Sequence, residues 1–171
     1  MDFQSALISA ERSPEIPESA DTYGFLVGSW DLEVRYYWTE VANRGLTGEV
    51  HAARVLEGRA VQDLWIMPQI AARTPDQPKS ANMYGTTLRV WDASIQAWRI
   101  TWINPVTCNE ERLIGRPIGR DIVQVGCSAN GAPSRWRFTE ITRDSFHWIG
   151  EFLDADGQTW RLAGEFLARR R

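Results

Sequence analysis

The chain has 171 residues, 43% hydrophobic and 24% charged, enough for one globular domain. A domain of that size buries about 70% of its unfolded surface and needs neither metal nor disulfide to fold. Nineteen basic groups against 22 acidic ones leave a net charge of -3, which argues against a phosphate-tracking surface and so against nucleic acid.

No apolar run approaches the roughly 20 residues of a membrane-spanning helix, so no membrane partner is expected. Two cysteines do not make a disulfide framework. Nine Trp against two His lean towards holding a molecule rather than cutting one.

In residues 1–10, Phe3, Ala6, Leu7 and Ala10 recur at helical spacing until Ser13 and Pro14 stop the pattern. That stretch lacks a basic segment followed by an apolar block, so no secretory signal is expected and the reading is cytoplasmic. Pro14 and Pro17, with acids around them, read as an arm, and a helical turn over residues 20–26 leads into the fold. The expected division is a partly helical or mobile arm over residues 1–24 and a single folded unit over residues 25–171.

From Gly28 the period becomes two: Trp30, Leu32, Val34, Tyr36 and Trp38 alternate with Asp31, Glu33, Arg35 and Thr39. Further strands are expected over residues 47–56, 59–68, 83–91, 97–104, 110–116, 121–127, 134–141, 145–153 and 159–168. Between them stand breaks rich in Gly, Asn and Asp, such as Gly58, Asp92, Gly119, Gly131, Asp144 and Gly157, the chemistry tight turns require. The one long interruption, residues 69–82 with Pro75 and Pro78, reads as a loop and a lid over one end. About ten short antiparallel strands in series avoid exposed edges most fully by closing on themselves. The fold class is therefore all-β, a single up-and-down antiparallel barrel with a short helical arm.

Turn positions orient the last three strands. A turn at Arg143 pairs Phe138 with Trp148 and Trp136 with Gly150; a turn at Asp156 pairs Trp148 with Gly164 and Phe152 with Trp160. One face then carries Trp136, Phe138, Phe146, Trp148, Phe152, Trp160, Leu162 and Phe166, and is assigned to the interior. The other carries Arg135, Arg137, His147, Glu151, Arg161 and Glu165, an outer ion ladder worth up to roughly 1 kcal/mol per pair.

Earlier strands are less clean. Either Glu49, His51, Gln62 and Leu64 face inward, or Val50, Arg54, Val61, Asp63 and Trp65 do; the second is favoured because Trp65 and Val61 accompany it. Buried polar groups there must be paired or touch a ligand. Trp91, Trp98, Ile100 and Trp102 share an expected inner face with Thr87, Arg89 and Asn104. A Trp-lined cavity with a few convergent polar groups is a typical small-molecule site, whereas a small barrel can instead be filled by its side chains. The candidate ligand-binding residues are Trp30, Tyr36, Arg54, Asp63, Trp65, Arg89, Trp102, Asn104, Trp136, Phe138, Trp148 and Trp160.

No Gly-x-Ser-x-Gly elbow, phosphate-cradling loop or dinucleotide fingerprint occurs, and no cofactor is expected. Glu49 and His51 could share a strand face, but a metal site needs a further ligand, so no metal is expected. Cys108 and Cys127 lie on neighbouring strands of one hairpin and are expected as free thiols. An isomerase or cyclase inside the barrel would use Asp63 or Glu49 as base and Arg54 or His51 to polarise the substrate.

Phe25, Leu26, Val27, Gly28, Ser29 and Trp30 resemble the Gly-x-Trp opening of lipocalin-like (calycin-type) barrels. Beyond it, the turn at Gly58 and Arg59, the strand with Tyr84, Gly85, Trp91 and Asp92, and the Trp-rich strand from Trp98 to Trp102 are similar to an uncharacterised family of such barrels. The resemblance covers residues 25–171. It implies that Trp30 closes one end of the barrel, that Arg169 or Arg170 packs across it, and that the interior holds an apolar ligand. Heme-binding relatives carry a Gly-x-Trp-x-Gly-x-Gly run, which Asp31, Leu32, Glu33 and Val34 do not continue here, so heme is disfavoured.

The expected function is binding of a small apolar or aromatic molecule in a Trp-lined interior. The alternatives are an isomerase or cyclase in the same cavity and a filled barrel with a structural or interaction role. An outer face leaves a homodimer open.

Overall fold

The computed structural model describes residues 1–76, 83–128 and 130–171. After a short helix α1 (Phe3–Leu7), the period-two segments form strands β1 (Ile8–Ser9), β2 (Gly28–Tyr37), β3 (Thr47–Val55), β4 (Ala60–Met67), β5 (Met83–Asp92) and β6 (Ala97–Asn104). They continue as β7 (Asn109–Ile118), β8 (Asp121–Cys127), β9 (Pro133–Thr139), β10 (Ser145–Leu153) and β11 (Trp160–Arg170). Strands β2 to β11 pair antiparallel, each with the next, and β11 returns to β2, so ten strands close an up-and-down barrel without a free edge. No helix among the described residues is long and apolar enough to cross a membrane.

The eleventh strand was not expected. Helical spacing over residues 3–10 breaks at Ile8, and Ile8 and Ser9 pair with Val55 and Arg54. The β2 ladder ends at Ala52, opposite Gly28, which leaves the last residues of β3 open on that side, and β1 covers them.

The segment after β1 closes one end of the barrel. Although α1 buries no residue, Ile16, Ala20, Tyr23 and Leu26 are all buried in the core. Trp98 Nε1 donates to the Ala20 carbonyl at 3.0 Å, and the Tyr23 hydroxyl donates to Gln124 Oε1 at 3.1 Å. Trp30 adds the second part of the plug. Its Nε1 donates to the Leu26 carbonyl at 2.8 Å, and the Arg170 guanidinium lies 4.0 Å above its ring. Arg170 also donates to the Val27 and Phe25 carbonyls at 2.9 and 2.8 Å. Of Arg169 and Arg170, Arg170 is thus the one that crosses Trp30.

A continuous run of aromatic contacts rises from this plug through the closed half. Trp30 meets Phe146, Phe146 meets Phe138, and Trp148 meets Phe138, Trp65 and Phe166, at ring separations of 4.3 to 5.8 Å. Such pairs add about 0.5–1.5 kcal/mol each beyond the area they bury. The closed half is filled and the other half is hollow.

Two bulges revise the expected registers. In β2, Tyr36 pairs with Glu165 and Val34 with Phe166, so Arg35 is an extra residue and Tyr37, not Tyr36, continues the inner face. Between β10 and β11, Trp148 pairs with Phe166 rather than Gly164, and Gly150 pairs with Gly164. Glu151 then pairs with Leu162 and Leu153 with Trp160, leaving Ala163 as the extra residue. The β9–β10 register is as the turn at Arg143 predicts: Phe138 faces Trp148 and Trp136 faces Gly150.

Candidate functional site

The hollow half is a cavity of about 1000 Å3. Strand β6 supplies Ile100, Trp102 and Asn104 to its wall, β7 supplies Glu111 and Leu113, β9 supplies Trp136, and β10 supplies Trp148 and Phe152. Its rim is formed by Trp38, by the turns carrying Thr107 and residues 130–132, and by Asp154 and Ala155. Trp38 stacks on Phe152 at 5.4 Å and remains 62% exposed, an indole held at the mouth rather than in the core.

Two indoles lie flat against the wall because the neighbouring strand offers no side chain beneath them. A β-carbon on Gly85 would stand 2.3 Å from Trp102 Cη2, and one on Gly150 would stand 1.8 Å from Trp136 Cζ3. Trp136 stacks in turn on Trp148, with ring centroids 4.4 Å apart and planes 18° apart. Trp148 Nε1 is buried and has no hydrogen-bond partner among the described residues.

At the cavity floor, Arg89 Nη1 donates to Asp63 Oδ2 at 2.5 Å, and both side chains are essentially unexposed. Asp63 Oδ1 also accepts the Thr87 amide at 3.0 Å, and Arg89 Nε donates to Gln124 Oε1 at 3.4 Å. The guanidinium lies 4.9 Å from the Tyr23 ring and 5.9 Å from the Phe138 ring. The two charges neutralise each other, and burial pushes the Tyr23 hydroxyl above its ordinary pKa.

Glu111 differs. Its carboxylate takes a hydrogen bond from the Ser134 hydroxyl and another, at 3.3 Å, from Trp136 Nε1, yet it pairs with no cation among the described residues. Burial raises its pKa from the ordinary 4.5, against the opposing effect of the Ser134 and Trp136 bonds.

Of the residues selected from sequence, Arg89, Trp102, Asn104, Trp136 and Trp148 line this cavity. Asn104 Oδ1 also accepts the Val106 amide at 3.1 Å, tying the following turn. Trp65 and Phe138 are fully buried in the aromatic column, Asp63 backs Arg89, and Trp30 is in the plug.

Three lie elsewhere. Tyr36 is carried past the inner face by the β2 bulge and sits opposite Glu165, whose carboxylate binds His147 at 2.9 Å. The extra residue at Ala163 moves Trp160 to the outer face, where the Arg135 guanidinium lies 4.1 Å over its ring and Arg135 pairs with Glu151. Arg54 has the expected alternation but pairs with Asp21, at 3.0 and 2.7 Å, and does not border the cavity. Asp21 comes from the segment expected as an arm, so strand alternation alone gives no access to that partner.

Glu49 and His51 share the other face of β3, where Arg171 Nη2 donates to Glu49 at 2.8 Å and Ser29 meets His51 at 2.9 Å. Neither borders the cavity. Among the described residues no three His, Cys, Asp or Glu side chains gather as metal ligands. Cys127 pairs with Arg112 in the ladder, and Cys108 lies in the preceding turn; both are exposed free thiols. Residues 69–76 of the expected lid include Gln69, which donates to Asp31, and Ile70, whose amide donates to Glu49; residues 77–82 lie outside the described chain.

Glu111 and Gln124 escaped the sequence reading. The signal was present: a four-residue turn after Asn104 pairs Trp102 with Glu111, and a turn at Gly119 pairs Gly115 with Gln124. An inward Trp102 therefore makes its register partner inward too. No protein-family model matches the chain, and comparison with curated protein sequences returns no match.

Proposed function

We propose that this barrel is a lipocalin-like binding protein that takes a small, mostly apolar or aromatic molecule into the hollow half of its interior. The observation that carries the reading is the cavity of about 1000 Å3, walled by Trp102, Trp136 and Trp148 and holding Arg89, Gln124 and Glu111 among its polar groups. Pockets of roughly 300–1000 Å3 that combine aromatic walls with a few fixed polar groups are typical of small-molecule sites. The Trp30–Arg170 closure supports the lipocalin-like part of the reading, because it is the arrangement that resemblance implies.

Native mass spectrometry of the protein isolated from cells, before and after denaturing release, tests this directly. A released small molecule supports it. A wholly empty protein that also fails to take up the neutral dye Nile red overturns it.

Glu111 favours a second reading. A desolvated carboxyl with a raised pKa, facing an enclosed substrate, is suited to proton transfer of the isomerase type. Turnover of a co-purified ligand that is abolished in Glu111→Gln would separate that reading from simple binding.

A further inference from the structure

We propose that the ligand is an organic cation: an aromatic or otherwise apolar body bearing one amine-type positive charge, seated on Glu111 and packed against Trp102, Trp136 and Trp148. The proposal rests on the binding reading above and adds the charge of what is bound.

Charge accounting within the cavity comes first. Arg89 and Asp63 cancel, and the faces of the guanidinium are covered by Tyr23 and Phe138. At the rim Asp154 is paired with Arg161, so among the described lining residues Glu111 is left as the uncompensated charge, held by two neutral donors, the Ser134 hydroxyl and the Trp136 N–H. Those donors fix the carboxylate in one orientation but add no positive charge.

The second part is the aromatic surround. Trp136 reaches Glu111 through its ring edge while its face stacks on Trp148, and Trp102 is the register partner of Glu111 across the β6–β7 pair. Indole faces attract cations through their quadrupole, most strongly where water is excluded. Three indoles and one carboxylate thus offer a cation both a counter-ion and polarisable walls.

A neutral guest would leave Glu111 desolvated without compensation, and an anionic guest would be repelled by it. The buried charge also works against the fold, since burial raises the Glu111 pKa. A glutamine could keep both hydrogen bonds without that cost, so the position is accounted for by something the charge itself does.

Isothermal titration at pH 8 with three probes of one ring system decides the matter: 1-naphthylmethylamine, 1-naphthylmethanol and 1-naphthoate. The amine should bind about tenfold or more tighter than the alcohol, with the naphthoate weakest, a ratio within the range of a desolvated cation–π and ion-pair contact. In Glu111→Gln the preference for the amine over the alcohol should collapse to within about twofold. Wild-type protein that binds the alcohol as tightly as the amine overturns the charge assignment and leaves the cavity reading standing. So does a Glu111→Gln variant that keeps the preference. Binding of none of the three by folded protein that takes up Nile red overturns the charge assignment alone, and failure to take up Nile red as well overturns both readings together. The wild-type series carries the test even if the variant fails to fold.

Discussion

Trp136 lies flat on Gly150, its register partner across the β9–β10 pair, so closely that any side chain there would occupy the ring's own position. Gly164, opposite Gly150 on β11, extends the same bed, with a β-carbon there 3.3 Å from Trp136 Cζ3. This glycine pair lets an indole cover the wall without filling the lumen. Gly150→Ala must tilt Trp136 inward, breaking its bond to Glu111 and its stack on Trp148. The expected cost is about 1–3 kcal/mol, the usual range for overpacking, together with weaker binding of the naphthyl probes. Urea unfolding and titration read the two effects; an unchanged midpoint would contradict the close packing.

Asp63 and Arg89 are the fully buried ion pair beneath that cavity, and removing one partner should cost far more than removing both. Asp63→Leu leaves an uncompensated guanidinium and should destabilise by about 3–5 kcal/mol, whereas the double change with Arg89→Met should recover most of the loss. A double-mutant cycle by chemical denaturation measures the coupling. Additive losses would show that the two charges act independently.

Trp136, Phe138 and Trp148 were legible because a short turn fixes the β9–β10 register and one face is uniformly aromatic. The same rule fails at Tyr36 and Trp160, where a single extra residue inverts inside and outside, and nothing in the local alternation marks Arg35 or Ala163 as that residue. Arg54 is drawn away from the cavity for another reason. Its counter-ion Asp21 arrives from outside the strand pattern, in a segment whose prolines and acids read as an arm while Ile16, Ala20 and Tyr23 anchor it in the barrel end. Hollowness itself was not legible: it depends on Gly85 and Gly150 lying beneath indoles of neighbouring strands.

Arg170 couples the last strand to the plug through two carbonyls and the face of Trp30. Its planar fork serves all three contacts at once, which a lysine ammonium cannot do. Arg170→Ala should cost about 2 kcal/mol, and Arg170→Lys should recover little of it. Quenching of indole fluorescence by acrylamide should increase in both variants as Trp30 gains access to solvent. Full recovery by lysine would reduce the role of Arg170 to charge alone.

Glu111 gives stability a pH dependence whose sign follows from its raised pKa. Its surroundings are Ser134 and Trp136 on β9 and Trp102 on β6, with the internally neutralised Arg89 and Asp63 pair nearer the closed end. Below the ordinary carboxylate pKa of 4.5 the group is protonated in both folded and unfolded chains and contributes nothing. As pH rises through the window between 4.5 and the raised folded value, the unfolded chain releases its proton first, so stability falls. Above that window the loss is complete. Glu111→Gln, which can accept from Trp136 and donate to Ser134, should therefore melt higher than wild type at pH 8, with the difference vanishing below pH 4.5. Thermal melts across that range provide the comparison. A saturating organic cation should narrow the gap at pH 8 by stabilising the wild type alone, because it supplies the counter-charge that Glu111 otherwise lacks. A variant no more stable than wild type at pH 8, in the absence of any ligand, would show that the burial of Glu111 carries no net cost.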